Sequence, residues 1–233
     1  MKLKNPFASL TRFEWGLWIV SVLTVTLSCF LSPEQDYLKL VGSLIGVTAL
    51  IFLARGLVIG QFLMIIFCLF YGFVSYRIAY YGEMLTYVGM SLPMAVMSAI
   101  AWIRHPYRDT DEVEVSRVSS KQKILLPILT VLVTVAFYFI LGALHTDELL
   151  ISTVSVATSF IAAYLTFLRS PWYALAYTAN DVILIVLWIL AIFEDPSALP
   201  MVICFFVFFF NDMYVFFSWR RMAKRQSEFF NNL

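Results

Sequence analysis

The chain has 233 residues, of which 61% are hydrophobic and only 13% are charged, and its formal net charge is +1. A soluble domain is about 45–50% apolar and about 25% charged, so this composition excludes a soluble globular fold, and its apolar excess excludes a disordered chain. The near-zero net charge argues against a nucleic-acid partner, which requires a basic surface. The composition predicts an integral membrane protein whose main partner is the lipid bilayer.

Eight stretches of the chain are long and apolar enough to cross a membrane, which takes roughly 20 residues of helix. In chain order they are 14–31, 37–54, 56–78, 83–103, 122–144, 148–168, 172–193 and 199–219. Short polar or turn-forming segments separate most of them, and the single long break, 104–121, carries charges of both signs. The sequence therefore predicts an all-α, multi-pass membrane protein.

The basic residues indicate how these spans are oriented. With eight spans both termini lie on one side, and that side then carries fourteen of the sixteen Lys and Arg residues. The two exceptions are Lys39 and Arg77. Basic residues accumulate in cytoplasmic loops, so the pattern predicts that both termini are cytoplasmic.

Spans two to four and six to eight read as two copies of one three-helix unit. The first helix of each unit ends in an arginine, Arg55 or Arg169, and the third ends at a tryptophan, Trp102 or Trp219. The fifth span lies between the units and gives the second copy the same orientation as the first. The prediction is an N-terminal helix followed by a 3-1-3 core of two parallel bundles, an arrangement whose binding site lies at the repeat interface. The predicted segments are 1–36, 37–103, 104–146, 147–221 and 222–233.

Nothing in the sequence indicates an enzyme, a cofactor or a metal site. Cys29, Cys68 and Cys204 lie far apart in apolar runs, where free cysteines are ordinarily buried hydrophobic residues. His105 and His145 have no second ligand at metal-binding spacing, and no nucleophile or phosphate-binding motif occurs. The prediction is a protein without catalytic activity.

Two Asn-Asp pairs, Asn180-Asp181 and Asn211-Asp212, fall inside the seventh and eighth spans. A charged residue at that depth costs roughly 2.5–3.5 kcal/mol, so these groups are expected to face the bundle interior and bind cargo. Interhelical hydrogen bonding alone is the other interpretation of the pairs. Helical spacing adds further candidate binding residues from four spans, namely Tyr173, Tyr177, Trp188, Tyr214, Tyr87 and Gln61. Glu83 is expected in solvent near the outer surface, and Trp219 in the interfacial aromatic belt.

The most specific of these segments resemble one known family. They are Asn-Asp-Val-Ile-Leu-Ile-Val-Leu-Trp at 180–188, the stretch from Tyr-Gly-Glu at 81–83 to Leu-Pro-Met at 92–94, and 211–219, which opens with Asn-Asp-Met-Tyr. Over roughly residues 40–225, the chain resembles the PnuC-type nicotinamide riboside transporters, which are related to the SWEET carriers. The resemblance implies facilitated diffusion of an unphosphorylated vitamin precursor across a bacterial cytoplasmic (inner) membrane, with trapping by an intracellular kinase.

The cargo and the energetics stay open at the level of sequence. Many members of the family carry tryptophans where this chain has Tyr173 and Tyr177, and an asparagine near Ala95. Thiamine, riboflavin or a deoxynucleoside are therefore alternative cargoes, although aromatic rings and carboxylates favour a cation such as nicotinamide riboside or thiamine. A proton-coupled carrier is a further alternative. A membrane receptor or light sensor is disfavoured because none of the six lysines lies mid-membrane, and the sequence leaves homo-oligomerisation open.

Overall fold

The computed structural model describes residues 5–32, 35–77, 81–146, 148–194 and 196–231, and within them eight helices are long and apolar enough to cross a membrane. This confirms the predicted fold class. The helices are α1 Arg12–Leu31, α2 Tyr37–Ala54, α3 Val58–Arg77, α4 Tyr81–Arg104, α5 Ser120–Ala143, α6 Leu149–Phe167, α7 Trp172–Glu194 and α8 Leu199–Asn231. Lys2 and Lys4, which enter the charge count, lie outside the described residues.

The helices associate as the predicted bundles. Helix α3 packs on α2 and α4, helix α7 packs on α6 and α8, and α2 contacts α8 across the interface. Two glycines of α2 allow these close approaches, because a Cβ at Gly42 would collide with the Tyr71 ring and one at Gly46 would lie 2.7 Å from Cζ of Phe208. Helix α5 contacts mainly α6 and is otherwise exposed, as expected for a linker surrounded by lipid.

Helix α1 is attached to the outside of this core, against α2 and α8. It begins with a capping box in which the Thr11 hydroxyl accepts from the amide of Glu14 and the Glu14 carboxylate accepts from the amide of Thr11. The Trp18 indole donates to Thr48 Oγ1 on α2 at 3.1 Å. The helix is therefore fixed to the core by directed polar contacts as well as by apolar packing.

Helix α4 is irregular in its middle. Residues Thr86–Ser91 form a π-helical segment in which the amide of Leu92 donates to the carbonyl of Tyr87, five residues earlier. Pro93 follows directly, and it has no amide hydrogen with which to continue the regular α-helical pattern. Such π segments change the direction of the side chains that follow and often occur at functional sites.

The long break between α4 and α5 is a structured segment, residues 105–119, called the strap below. It has isolated β-bridges between Pro106 and Val113 and between Glu112 and Leu57. Helix α8 runs to Asn231, beyond Trp219 where the sequence places the end of the span, because no proline or glycine interrupts residues 220–231. The strap contacts this extension of α8.

Candidate functional site

A cavity of about 530 Å³ lies between the two bundles. Such a volume is within the range of roughly 300–1,000 Å³ typical of small-molecule sites. One end, the mouth, is lined by residues at helix starts and in the α5–α6 connection, among them Lys39, Glu83 and His145. The opposite end, the floor, is lined by residues near the other ends of the helices, including Leu53 and Tyr173.

Eight of the ten predicted binding residues line this cavity. They are Gln61, Tyr87, Tyr173, Tyr177, Asn180, Asp181, Trp188 and Asp212. They come from α3, α4, α7 and α8, so the structure brings residues up to 151 positions apart in sequence to one place. That they bind cargo stays a prediction.

The other two, Asn211 and Tyr214, are not brought to the cavity. The amide Nδ2 of Asn211 donates to Ser21 Oγ on α1 at 2.9 Å, and the Tyr214 hydroxyl donates to Glu14 Oε1 at 3.0 Å. These residues lie on the face of α8 that packs against α1. Their predicted place in the site is wrong. The sequence indicates them because they share one face of α8, but that face packs against the N-terminal helix.

Three buried side chains of the cavity wall have polar atoms without a partner among the described residues. They are Asp181 Oδ2, Asp212 Oδ1 and Gln61 Nε2, on residues no more than 4% exposed. Most buried polar atoms in proteins are hydrogen-bonded, and an unsatisfied one costs about 1–3 kcal/mol. These atoms are therefore available to a ligand that offers matching donors and acceptors.

The two carboxyl groups belong to neighbouring helices. Asp181 on α7 and Asp212 on α8 both line the cavity, and these two helices pack on each other. Two buried carboxyl groups on one cavity wall repel each other when both are ionised, which favours a proton on one of them. The pair can therefore hold a proton as well as attract a cation.

Asn180 is oriented by two hydroxyl groups of α6. Its Oδ1 accepts from Ser155 Oγ at 3.0 Å and from Thr158 Oγ1 at 2.9 Å. Asn180 itself lines the cavity, so its amide group can donate to a ligand there. Ser155 and Ser159, which lie one helical turn apart on α6, both line the cavity.

Aromatic rings form much of the remaining wall. Tyr87, in the π segment, lies tilted against Tyr71 with ring centroids 5.3 Å apart and edge-on to Phe67 at 5.9 Å. At the floor, Tyr173 and Tyr177 meet edge to face at 6.3 Å. Flat rings with nearby amides and carboxyl groups are suited to stacking and orienting a flat heterocycle.

The charges on the wall are mostly negative. The cavity is lined by four acidic residues, Glu83, Glu148, Asp181 and Asp212, against the basic Lys39 and the histidine His145, both at the mouth. Lys39 Nζ is paired with Asp36 Oδ2 at 3.4 Å. The deep part of the cavity therefore has carboxyl groups and no basic side chain among its described lining residues.

Beneath the floor, two buried tryptophans close the space between the bundles. Trp219 Nε1 donates to the Leu53 carbonyl at 2.7 Å, and Trp102 Nε1 donates to the Thr166 carbonyl at 3.0 Å. In each bundle, the tryptophan of the third helix thus donates to a carbonyl at the end of the first helix of the other bundle. This reciprocal pattern is what two equivalent repeats would give. The expected interfacial position of Trp219 is wrong, because its side chain is fully buried against the Tyr173 ring.

The strap adds a second layer to this closed end. Its Val113 amide donates to the Gly56 carbonyl in the α2–α3 turn at 2.9 Å, and its Ser116 amide donates to the Arg169 carbonyl in the α6–α7 turn at 3.0 Å. Gln226 of α8 accepts from the Val115 amide and donates to the Val113 carbonyl. The strap therefore ties both bundles together on the side opposite the mouth.

Ion pairs reinforce the strap. Arg169 Nη1 lies 3.9 Å from Glu114 Oε2, and Arg225 pairs with Glu112. Burial lowers the pKa of the Arg169 guanidinium, and the Glu114 carboxylate opposes that shift.

Within the described ranges, no group of three His, Cys, Asp or Glu residues is placed to hold a metal ion.

Comparison with known proteins assigns this architecture to a family. The family model described as "Nicotinamide mononucleotide transporter" matches residues 36–221, which include both bundles and the linker helix. The chain belongs to this transporter family. It is therefore a multi-span membrane transporter with a small-molecule cargo, and the expectation that it is not an enzyme is confirmed.

Individual relatives agree with the assignment. The chain is 24% identical over 229 residues to the nicotinamide riboside transporter PnuC of Neisseria mucosa, covering 96% of this chain and 87% of the relative. It is 20% identical over 226 residues to PnuC of Haemophilus influenzae, covering 96% and 97%. A crystal structure of the vitamin B3 transporter PnuC superimposes with a TM-score of 0.79 at 22% identity, with 94% of each chain covered. That similarity confirms the fold.

Proposed function

We propose that this chain carries nicotinamide riboside across the membrane. The observation that carries the proposal is the buried carboxyl pair, Asp181 and Asp212, each with an oxygen that has no partner among the described residues. The cargo is a cation with a flat pyridinium ring, a carboxamide and ribose hydroxyls. Its charge complements the carboxyl groups, its ring fits the aromatic wall, and its polar edges can satisfy Asn180 and Gln61.

The same charges favour the riboside over its phosphorylated form. A mononucleotide carries a phosphate, which proteins bind with arginine, lysine or backbone amides. The one lysine on the described cavity wall, Lys39, is at the mouth and is paired with Asp36. A phosphate deep in the cavity would face the carboxyl groups of Asp181 and Asp212, so the unphosphorylated cargo is preferred.

The proposed mechanism is facilitated diffusion by alternating access. Placing the termini and the strap in the cytoplasm, as the distribution of basic residues favours, puts the mouth outside and makes this an outward-facing arrangement. Rocking of the two bundles would then open the tryptophan-closed end and release cargo inside, where phosphorylation traps it. The relatives come from bacteria, which supports a location in the bacterial cytoplasmic membrane.

The proposal predicts uptake without an energy source. Purified protein in liposomes should equilibrate labelled nicotinamide riboside with no ATP and no ion gradient, at least tenfold faster than protein-free liposomes. Competition by unlabelled nicotinamide riboside, thiamine, riboflavin, a deoxynucleoside and nicotinamide mononucleotide ranks the alternative cargoes. The proposal is wrong if one of the other compounds competes strongly and nicotinamide riboside does not.

A proton-coupled carrier is the second candidate, and the placement of two buried carboxyl groups, Asp181 and Asp212, on one cavity wall favours it. A carboxyl pair that releases its proton when the cation binds would exchange one proton for one cargo molecule. An outward-directed proton gradient should then drive cargo above its equilibrium concentration inside the liposomes, and an inward-directed one should lower it. Under facilitated diffusion, with the membrane potential held at zero, neither gradient changes the final cargo ratio.

The orientation of Asn180 supplies a prediction about α6. Replacing Ser155 with alanine and Thr158 with valine removes both hydrogen bonds to Asn180 Oδ1. We expect nicotinamide riboside binding, measured by calorimetry, to weaken roughly tenfold, since each hydrogen bond contributes about 0.5–1.5 kcal/mol. Thr153→Val is the matched control, because that hydroxyl donates only to the Leu149 carbonyl of its own helix. Equal affinity in the double variant would show that these hydroxyls do not prepare Asn180 for cargo.

A further inference from the structure

Glu83 lies at the mouth of the cavity, in the first turn of α4. The sequence places it in outer solvent, but the structure turns its side chain to the cavity wall. There its Oε2 accepts from the hydroxyl of Ser75, a buried residue of α3, at 3.4 Å. A buried donor that holds the carboxylate against the wall keeps its charge directed at the passage.

The cavity-lining residues of α4 run from mouth to floor in the order Glu83, Tyr87, Ser91, Met94 and Ser98. Helix α7 runs in the opposite direction, so its outer lining residue Trp188 lies at the mouth end. Seven residues of helix, about 10 Å, separate Trp188 from Asp181. A cargo that enters from the mouth therefore passes Glu83, Tyr87 and Trp188 before it reaches the carboxyl pair.

From this geometry we infer that Glu83 determines selectivity by attracting the cationic ring of the cargo at the mouth. Tyr87, one helical turn deeper on the same helix, provides an aromatic face for a cation–π contact. Charge on the wall of a narrow cleft raises the local concentration and the association rate of an oppositely charged ligand by about 10–10³-fold. This role rests on the proposed function, because it requires a cargo with a positive charge.

Nearby positive charge does not cancel the effect. Lys39 also lines the mouth, but its Nζ is already paired with Asp36. The other acidic residue of the mouth, Glu148, adds to the negative potential. A neutral nucleoside gains nothing from this field, and an anion is repelled by it.

The experiment compares Glu83→Gln with the unaltered protein in proteoliposomes at low ionic strength. The two probes are nicotinamide riboside and its reduced 1,4-dihydro form, which has nearly the same shape but no charge. We expect the initial uptake rate of the cation, at concentrations well below KM, to fall about tenfold, and that of the neutral form to change less than twofold. Raising the salt concentration should reduce the tenfold difference, because mobile ions screen exposed charges.

Two further variants make the result decisive. Glu83→Asp keeps the charge and should retain most of the uptake of the cation. Glu228→Gln removes an exposed carboxylate far from the mouth, near the end of α8, and should leave both rates unchanged. The inference is overturned if Glu83→Gln slows both probes equally, or neither, or if its effect is independent of salt. If the unaltered protein takes up neither probe, the proposed function itself fails.

Discussion

The double variant Asp181→Asn, Asp212→Asn is expected to bind nicotinamide riboside at least about 30-fold more weakly than the unaltered protein. Both side chains are buried at the cavity wall, and each has an oxygen without a partner among the described residues. Removing one partner of a buried charge pair costs about 2–5 kcal/mol, and 1.4 kcal/mol corresponds to a tenfold change in affinity. Calorimetry on the detergent-purified protein measures the change directly.

The same variant should be more stable than the unaltered protein when no cargo is present. Asparagine has nearly the volume of aspartate but no charge, so the substitution removes the roughly 2.5–3.5 kcal/mol that each ionised carboxylate costs in the membrane. At about 2–4 °C per kcal/mol for a chain of this length, we expect the thermal unfolding temperature to rise by about 10 °C or more. A residue that is kept at a cost to stability is typical of a functional site. Lower stability together with unchanged affinity would show that the pair only joins α7 to α8.

The other Asn-Asp pair provides the matched control. Asn211 is the neighbour of Asp212, but its amide donates to Ser21 on α1 and to the Val207 carbonyl on α8. Asn211→Ala should therefore lower the unfolding temperature, because a buried partner is left unsatisfied, and should change cargo affinity less than threefold. Opposite outcomes at adjacent positions would separate binding residues from those that hold the helices together.

The sequence predicts the carboxyl pair because an aspartate at mid-membrane depth is energetically costly, whichever direction its side of the helix faces. That reasoning uses depth alone, and depth can be counted along an apolar span. It fails for Asn211 and Tyr214, because the face of α8 that they share is covered by α1. The position of α1 around the core is a tertiary fact that no periodicity within α8 contains.

Two other features of the site depend on backbone detail that the sequence indicates only weakly. Pro93 predicts an interruption in α4, but not that the π segment Thr86–Ser91 precedes it and includes Tyr87. Ser155 donates to Asn180 only because α6 and α7 meet at the same height, which the sequence of α6 alone does not indicate. A tryptophan near the end of a span is typical of the membrane interface, whereas the structure places Trp219 under the floor of the cavity.

The reciprocal tryptophans lead to the second major prediction, which concerns the double variant Trp102→Phe, Trp219→Phe. Phenylalanine keeps an apolar ring at each position but cannot donate to the Thr166 and Leu53 carbonyls. Two lost hydrogen bonds amount to about 1–3 kcal/mol, so the closed end should open about tenfold more often. In an alternating-access carrier the mouth must close when that end opens, so the outward-facing population should fall.

Labelling of a cysteine at the mouth tests this coupling. Thr86→Cys lines the cavity, and in a Cys68→Ser background a membrane-impermeant thiol reagent added on the mouth side should modify it more slowly in the tryptophan double variant. Trp172→Phe is the control, because that indole, at the start of α7, is about half exposed and makes no hydrogen bond among the described residues. Unchanged labelling, combined with leakage of an unrelated small solute, would mean that the tryptophans seal a pore without being linked to the mouth. Slower labelling without leakage would mean that the two ends of the cavity open in alternation, with the paired indoles holding the outward-facing state.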